Sequence, residues 1–248
     1  MQAAINKYHL LEPGQVDIWV VNTAELAVLN DAFLRCLSNE DCLRLQRYTN
    51  VAARNMFLIS RGALRMLLAK YLGFEPARIM IATHEHGKPF LTDHPQFFFN
   101  LSHSRNIALI AFALFPVGVD VEYVRRQIDF AAVMQRFFSE SERADWSANC
   151  VPSPQEAFFR GWTRKEALLK ATGEGIAGLG HTQISFLADQ PRALILRNDD
   201  YTQSQNWLFK DFCPAADYQA AAACQSPALQ LNIRHFMPEF YEKFSLEL

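Results

Sequence analysis

At 248 residues the chain can hold one large domain or two of ordinary size. Half of the residues are hydrophobic and a fifth are charged, the balance of a soluble globular protein with a true core. A net charge of −2 excludes bulk attraction to nucleic acid or to an anionic membrane, so any polyanion must be held by a local pocket of cations.

The five cysteines, at 36, 42, 150, 213 and 224, show no C-x-x-C pair and no zinc-like spacing, which reads as reduced thiols in a cytoplasmic protein. The opening MQAAINKYHLLEPG lacks the basic and apolar regions of a secretory signal. The longest apolar run, 107–119, is interrupted by Pro116 and is too short for a membrane span.

In chain order, residues 16–21 read as a first strand, and Ser38-Asn39-Glu40-Asp41 as a helix start with acidic residues in its first turn. From 51 to 72 the pattern is helical, with Phe57, Leu64, Leu68 and Tyr71 on one stripe and Gly73 as terminator. Strands are predicted at 79–83 and 97–101, followed by a hairpin-like pair at 107–114 and 117–124. Asp129 opens a short helix. Ser139 to Glu142 fits a capping box, and Ser153-Pro154-Gln155-Glu156 opens a helix expected to run to Thr172 and stop at Gly173. Four short strands are predicted near 182–187, 192–198, 206–212 and 217–224. Strands and long helices in both halves predict an α+β fold of two similar lobes, 1–115 and 116–248, joined near residues 115–118.

Chemistry concentrates in three segments. In Gly118-Val119-Asp120-Val121-Glu122 the two carboxylates share one strand face, as a solvated edge or as a hard-metal site built from oxygen ligands. In the predicted helix, Glu166 and Lys170 stand one turn apart. They are either a surface ion pair or, with Lys165, part of a phosphate site. Phe99-Asn100-Leu101-Ser102-His103-Ser104 sets two hydroxyls and an imidazole in a row at a strand end, able to donate to phosphate or simply to turn. His84 and His86 precede the loop Gly87-Lys88-Pro89, where Lys88 is either a phosphate ligand or a solvated turn residue; His94 reads as surface.

In this order and spacing, GKP at 87–89, FNLSHS at 99–104, GVDVE at 118–122, FFSESE at 137–142 and WTRKEALLKATGEG at 162–175 resemble the 4′-phosphopantetheinyl transferase superfamily, in its larger, pseudodimeric, Sfp-like class. The resemblance implies two similar α/β lobes about a pseudo-twofold, with coenzyme A in the cleft between them. It implies Mg²⁺ on Asp120, Glu122 and Glu166, coenzyme A phosphates near Lys88, Ser102 and His103, and Lys165 and Lys170 as a cationic pair. Arg44, Arg47, Arg54 and Arg61 fall where the family places cations for the 3′-phosphate; Arg54 and Arg61 are favoured. The implied reaction moves the phosphopantetheine arm of coenzyme A to a serine of an apo acyl or peptidyl carrier protein, releasing adenosine 3′,5′-bisphosphate. Glu166 is the candidate base and Lys165 its rival if its pKa is depressed; Lys170 would serve the leaving phosphate. The carrier is expected to dock near 129–146, with Phe137 and Phe138 in the core. Two lobes in one chain make a monomer sufficient. A coenzyme-A-binding protein without catalysis and a Mg²⁺-dependent phosphohydrolase are the rival readings.

Overall fold

Side-chain caps decide where the helices of this protein begin. The computed structural model describes residues 11–124, 128–149, 153–187, 192–195, 207–225 and 230–241. The Ser38 hydroxyl accepts from Asp41 N at 3.2 Å, and Asn50 Oδ1 from Ala53 N at 3.0 Å, starting α2 (Asn39–Gln46) and α3 (Val51–Leu72) after a short α1 (Asn30–Cys36). Asp129 and Ser139 open α4 (Phe130–Phe137) and α5 (Glu140–Asn149), and Ser153 with Pro154 opens α6 (Pro154–Thr172). Both long helices end on a left-handed glycine, Gly73 at φ 73° and Gly173 at φ 78°, where a side chain would be strained.

The strands are β1 (Gln15–Asn22), β2 (Ile81–Thr83), β3 (Pro89–Leu91), β4 (Phe98–Ser104), β5 (Ile107–Ala113), β6 (Val117–Tyr123), β7 (Thr182–Ile184), β8 (Arg192–Ile195), β9 (Trp207–Phe212), β10 (Tyr218–Cys224) and β11 (Gln230–His235). They form a sheet in the order β11-β1-β5-β4, a second in the order β6-β10-β9-β8-β7, and the small hairpin β2-β3. Alternation along the strands builds a layered molecule. Trp19, Val21, Phe99, Ile110 and Phe112 face α3, while Ile18, Val20, Leu109 and Ala111 turn the other way and meet Val119, Val121, Ala220 and Ala222 of the second sheet. The far face of that sheet, with Phe209 and Ala221, packs on Phe158, Ala167 and Leu168 of α6. The result is α+β in two lobes, each a sheet crossed by one long helix.

Three expectations are corrected. The segments 107–114 and 117–124 do not form a hairpin: β5 already has β1 on one edge and β4 on the other, so β6 crosses to the second sheet and pairs with β10. The actual hairpin is β4-β5, turned at Arg105-Asn106 with Arg105 at φ 49°. A strand that the pattern did not announce, β11, returns to run parallel to β1 in the first sheet, so residues 230–241 do not join the second-half strands. His94 is buried rather than on the surface, its ring 5.5 Å from that of Phe74. Cys150 and residues 196–198 and 206 lie outside the described residues. Among those described, no helix is long and apolar enough to cross a membrane.

Candidate active site

Gly118 brings the two chemistry-bearing elements together. A methyl group in its place would stand 2.1 Å from the Ala167 carbonyl oxygen and 2.4 Å from Ala171 N, so only glycine lets α6 lie this close on β6. Asp120 and Glu122 share the face of Gly118, and the close approach sets Glu166 and Lys170 against them. Lys170 Nζ donates to Asp120 Oδ1 at 2.6 Å and to Ser102 Oγ at 2.8 Å, and Ser102 Oγ donates to the same Asp120 oxygen at 2.8 Å. Ser104 Oγ donates to Glu122 Oε2 at 3.0 Å. Asp120 Oδ2 is buried and without a hydrogen-bond partner.

Glu166 reports the field of this junction. Burial raises its pKa above the usual carboxylate range, the charges of Asp120 and Glu122 push the same way, and Lys170 opposes them. Three carboxylates against one ammonium leave these four groups about two charges negative. Hard oxygen donors, that excess charge and the orphaned Asp120 Oδ2 fit a hard divalent cation such as Mg²⁺. Among the described residues no three such side chains form a closed ligand group as they stand, and Lys170 holds one oxygen of Asp120.

Beside the junction, the β2-β3 hairpin, the start of β4 and the end of α6 enclose a cavity of about 790 Å³, lined among others by His84, Lys88, Phe98 and Thr172. Lys88 Nζ donates to the Ala171 carbonyl at the end of α6, and burial lowers its pKa to about 8. His103 is exposed, on the strand face opposite Ser102 and Ser104. Desolvation and the Lys170 ammonium depress its imidazole below the usual range.

Residues 24–114 match the family described as 4′-phosphopantetheinyl transferase, N-terminal, and residues 116–223 the 4′-phosphopantetheinyl transferase superfamily. The 4′-phosphopantetheinyl transferase HetI of Nostoc sp. is 38% identical over 204 residues, covering 81% of this chain and 83% of HetI. The chain belongs to the 4′-phosphopantetheinyl transferase superfamily. It is similar also to the transferase psf-1 of Bacillus pumilus, 34% identical over 69% of this chain and 71% of that protein, and to Sfp of Bacillus subtilis, 27% identical over 60% of this chain and 65% of Sfp. It is an enzyme, a 4′-phosphopantetheinyl transferase.

Of the remaining candidates of this transferase, Ser102 reaches the junction and the others are placed elsewhere. Lys165 is not at the junction: its ammonium is buried against both Glu142 oxygens, at 2.9 and 2.7 Å, and the Thr182 carbonyl at 3.3 Å. Its pKa is lowered, by burial and not by a neighbouring cation. Ser102, expected at a phosphate, is buried and spends its proton on Asp120. Arg61 pairs with Asp41 at 2.7 Å beside Arg65, whereas Arg54 is exposed on the first turn of α3. It is Arg44 and Arg47 that line a separate cavity of about 500 Å³, with Arg44 5.2 Å over the Phe57 ring. Phe138 is buried and Phe137 stands edge-on to Trp162 at 5.4 Å, which puts the pair in the core. Sequence reasoning missed Asn100, read Ser104 as a phosphate donor and not as the partner of Glu122, and missed Glu142 as the partner of Lys165; the shared two-residue step of S-x-S and D-x-E was the available signal for Ser104.

Proposed function

We propose that this transferase moves the 4′-phosphopantetheine arm of coenzyme A to a serine hydroxyl of an apo acyl or peptidyl carrier protein. The serine Oγ–phosphorus bond forms, the bond from that phosphorus to the adenosine-side phosphate oxygen breaks, and adenosine 3′,5′-bisphosphate leaves. One observation carries the reading: the junction of Asp120, Glu122, Glu166 and Lys170, with Asp120 Oδ2 unpartnered, beside a cavity of about 790 Å³.

Asp120, Glu122 and Glu166 would hold Mg²⁺, which when bound neutralises pyrophosphate charge and acts as a Lewis acid on its oxygens. Phosphoryl transfer asks mainly for positioning and charge stabilisation. Lys170, already fixed between Ser102 and Asp120, faces the charge that grows on the leaving phosphate. Lys88, which lines the cavity, would meet the cofactor phosphates, with His103 as the second candidate. The serine proton goes to Glu166, which burial and the neighbouring Asp120 and Glu122 make a stronger base than a free carboxylate, while Lys165 is committed to Glu142. We assign the lobes to 1–115 and 116–248, with β11 of the latter returning to complete the first sheet, coenzyme A between the lobes, a carrier docking beside 129–146, a cytoplasmic setting and a monomer as the working unit. No nucleic acid or membrane partner enters this reading.

Incubation with coenzyme A, Mg²⁺ and a panel of apo carriers, read by intact mass, tests it. One carrier should gain the mass of one phosphopantetheine, and both chelation and Asp120→Ala should abolish the gain while the variant keeps its circular dichroism. Gain that persists in Asp120→Ala, or no gain on any carrier, overturns the assignment.

A further inference from the structure

The second sheet ends in β6, and an edge strand presents a row of N–H groups that must find partners when covered. Here the partners are side chains. Asn100 Oδ1 accepts from Val119 N at 2.9 Å, Ser102 Oγ from Val121 N at 3.4 Å, and Ser104 Oγ from Tyr123 N at 3.1 Å. Three alternate residues of β4 take three alternate amides of β6 in step, each nineteen positions on. No main-chain ladder joins β4 to β6.

The two hydroxyls do a second thing. A serine has one proton and two lone pairs. Having accepted from the amide of Val121 or Tyr123, each hydroxyl turns its proton to the carboxylate one residue earlier, Ser102 to Asp120 Oδ1 and Ser104 to Glu122 Oε2. Seam and carboxylates are therefore set by the same two oxygens. Ser102 also touches Lys170, so its effects on charge and on alignment are mixed. Ser104 has no such complication in the contacts the structure gives it.

We infer that Asn100, Ser102 and Ser104 form a polar ladder along the edge of β6 that aims Asp120 and Glu122 into the cleft, with Ser104 the positioning residue of Glu122. The inference rests on the transferase reading, in which Glu122 is a metal ligand. It adds a group behind that ligand. Partners that orient a metal's ligands commonly change its affinity by about 10- to 100-fold when removed.

The test is calorimetric titration of MgCl₂ into the full chain with coenzyme A and no carrier, so that nothing turns over, beside steady-state transfer at varied Mg²⁺. Ser104→Ala should weaken Mg²⁺ binding by about tenfold or more and raise the half-saturating Mg²⁺ by the same factor, with kcat at saturating Mg²⁺ within a few-fold of the original. Ser104→Cys, similar in size but a weak donor, should fall with alanine, and Ser104→Thr, which keeps the hydroxyl, should recover most of the affinity. A Ser104→Cys or folded Ser104→Ala variant that titrates like the unaltered enzyme overturns the role of Ser104 and leaves the transferase reading standing. A folded Ser104→Thr as weak as Ser104→Cys overturns it too. If the unaltered enzyme itself gives no Mg²⁺ isotherm and no transfer, the parent reading falls and takes this one with it.

Discussion

Lys88 sits where a charged group is costly to keep. It is half-buried, its Nζ rests on the carbonyl at the end of α6, and desolvation brings its pKa from near 10.5 to about 8. The sign of the effect follows directly. The cationic form is lost as pH rises through about 8, so the KM for coenzyme A should climb above that pH, and Lys88→Arg should flatten the climb because a guanidinium stays charged. Stability moves the other way. Between about pH 8 and 10.5 the unfolded chain binds the extra proton, so the contribution of Lys88 to folding stability rises with pH across that window and is least favourable below it. A pH–KM profile of the two proteins checks the first statement and denaturant melts at pH 7.5 and 10 the second. A KM for coenzyme A that stays level through pH 9 in the unaltered enzyme would remove Lys88 from the cofactor's neighbourhood.

The contact of β6 with α6 is where local sequence and tertiary structure meet most closely. Gly118→Ala would drive a methyl into the backbone of α6 at Ala167 and Ala171, and backbone cannot rotate away. Overpacking of this kind typically costs about 1–3 kcal/mol. Transfer should fall further than stability does, since the same displacement parts Lys170 from Asp120; chemical denaturation and transfer rates on one sample compare the two. Five of the six α-helices described were legible in the sequence because their signals are local, while α1, which has no side-chain cap, was not. Ser38, Asp129, Ser139 and Ser153 cap helices within three residues of themselves, and Gly73 and Gly173 end them. Strand partners were not legible. The pair 107–114 and 117–124 reads as a hairpin by adjacency alone, but pairing is decided by which edges are already taken, and β1 lies some ninety residues away in sequence. Lys165 shows the same limit within one helix. Neighbouring residues point about 100° apart, so Glu166 toward the carboxylates means Lys165 toward Glu142. The Asp120-Glu122 pair and its helical partners were readable because a two-residue step and a four-residue step each keep to one face.

At the scale of the molecule, the buried carboxylate of Asp17 ties three elements together. Its Oδ2 accepts from Tyr71 of α3 at 2.5 Å, its Oδ1 from Asn232 of β11 at 2.9 Å, and Arg234 lies 3.8 Å away. Asp17→Ala leaves the buried Tyr71 hydroxyl without its acceptor, at a cost of about 1–3 kcal/mol, and releases the half-buried Asn232 amide from β1. Hydrogen exchange should then accelerate at 230–235 before it does in β5, whose edges are both paired; equal acceleration throughout would show that Asp17 supports the sheet as a whole and not its last strand. The pairing of β11 with β1 also fixes an order of events during synthesis. Asp17 waits for a partner 215 positions downstream. Until that segment leaves the ribosome, the edge carrying Val16, Ile18 and Val20 is an open, largely apolar template, so a nascent or severed first half is sticky until its sheet is closed. The first lobe to be made is the last to be finished.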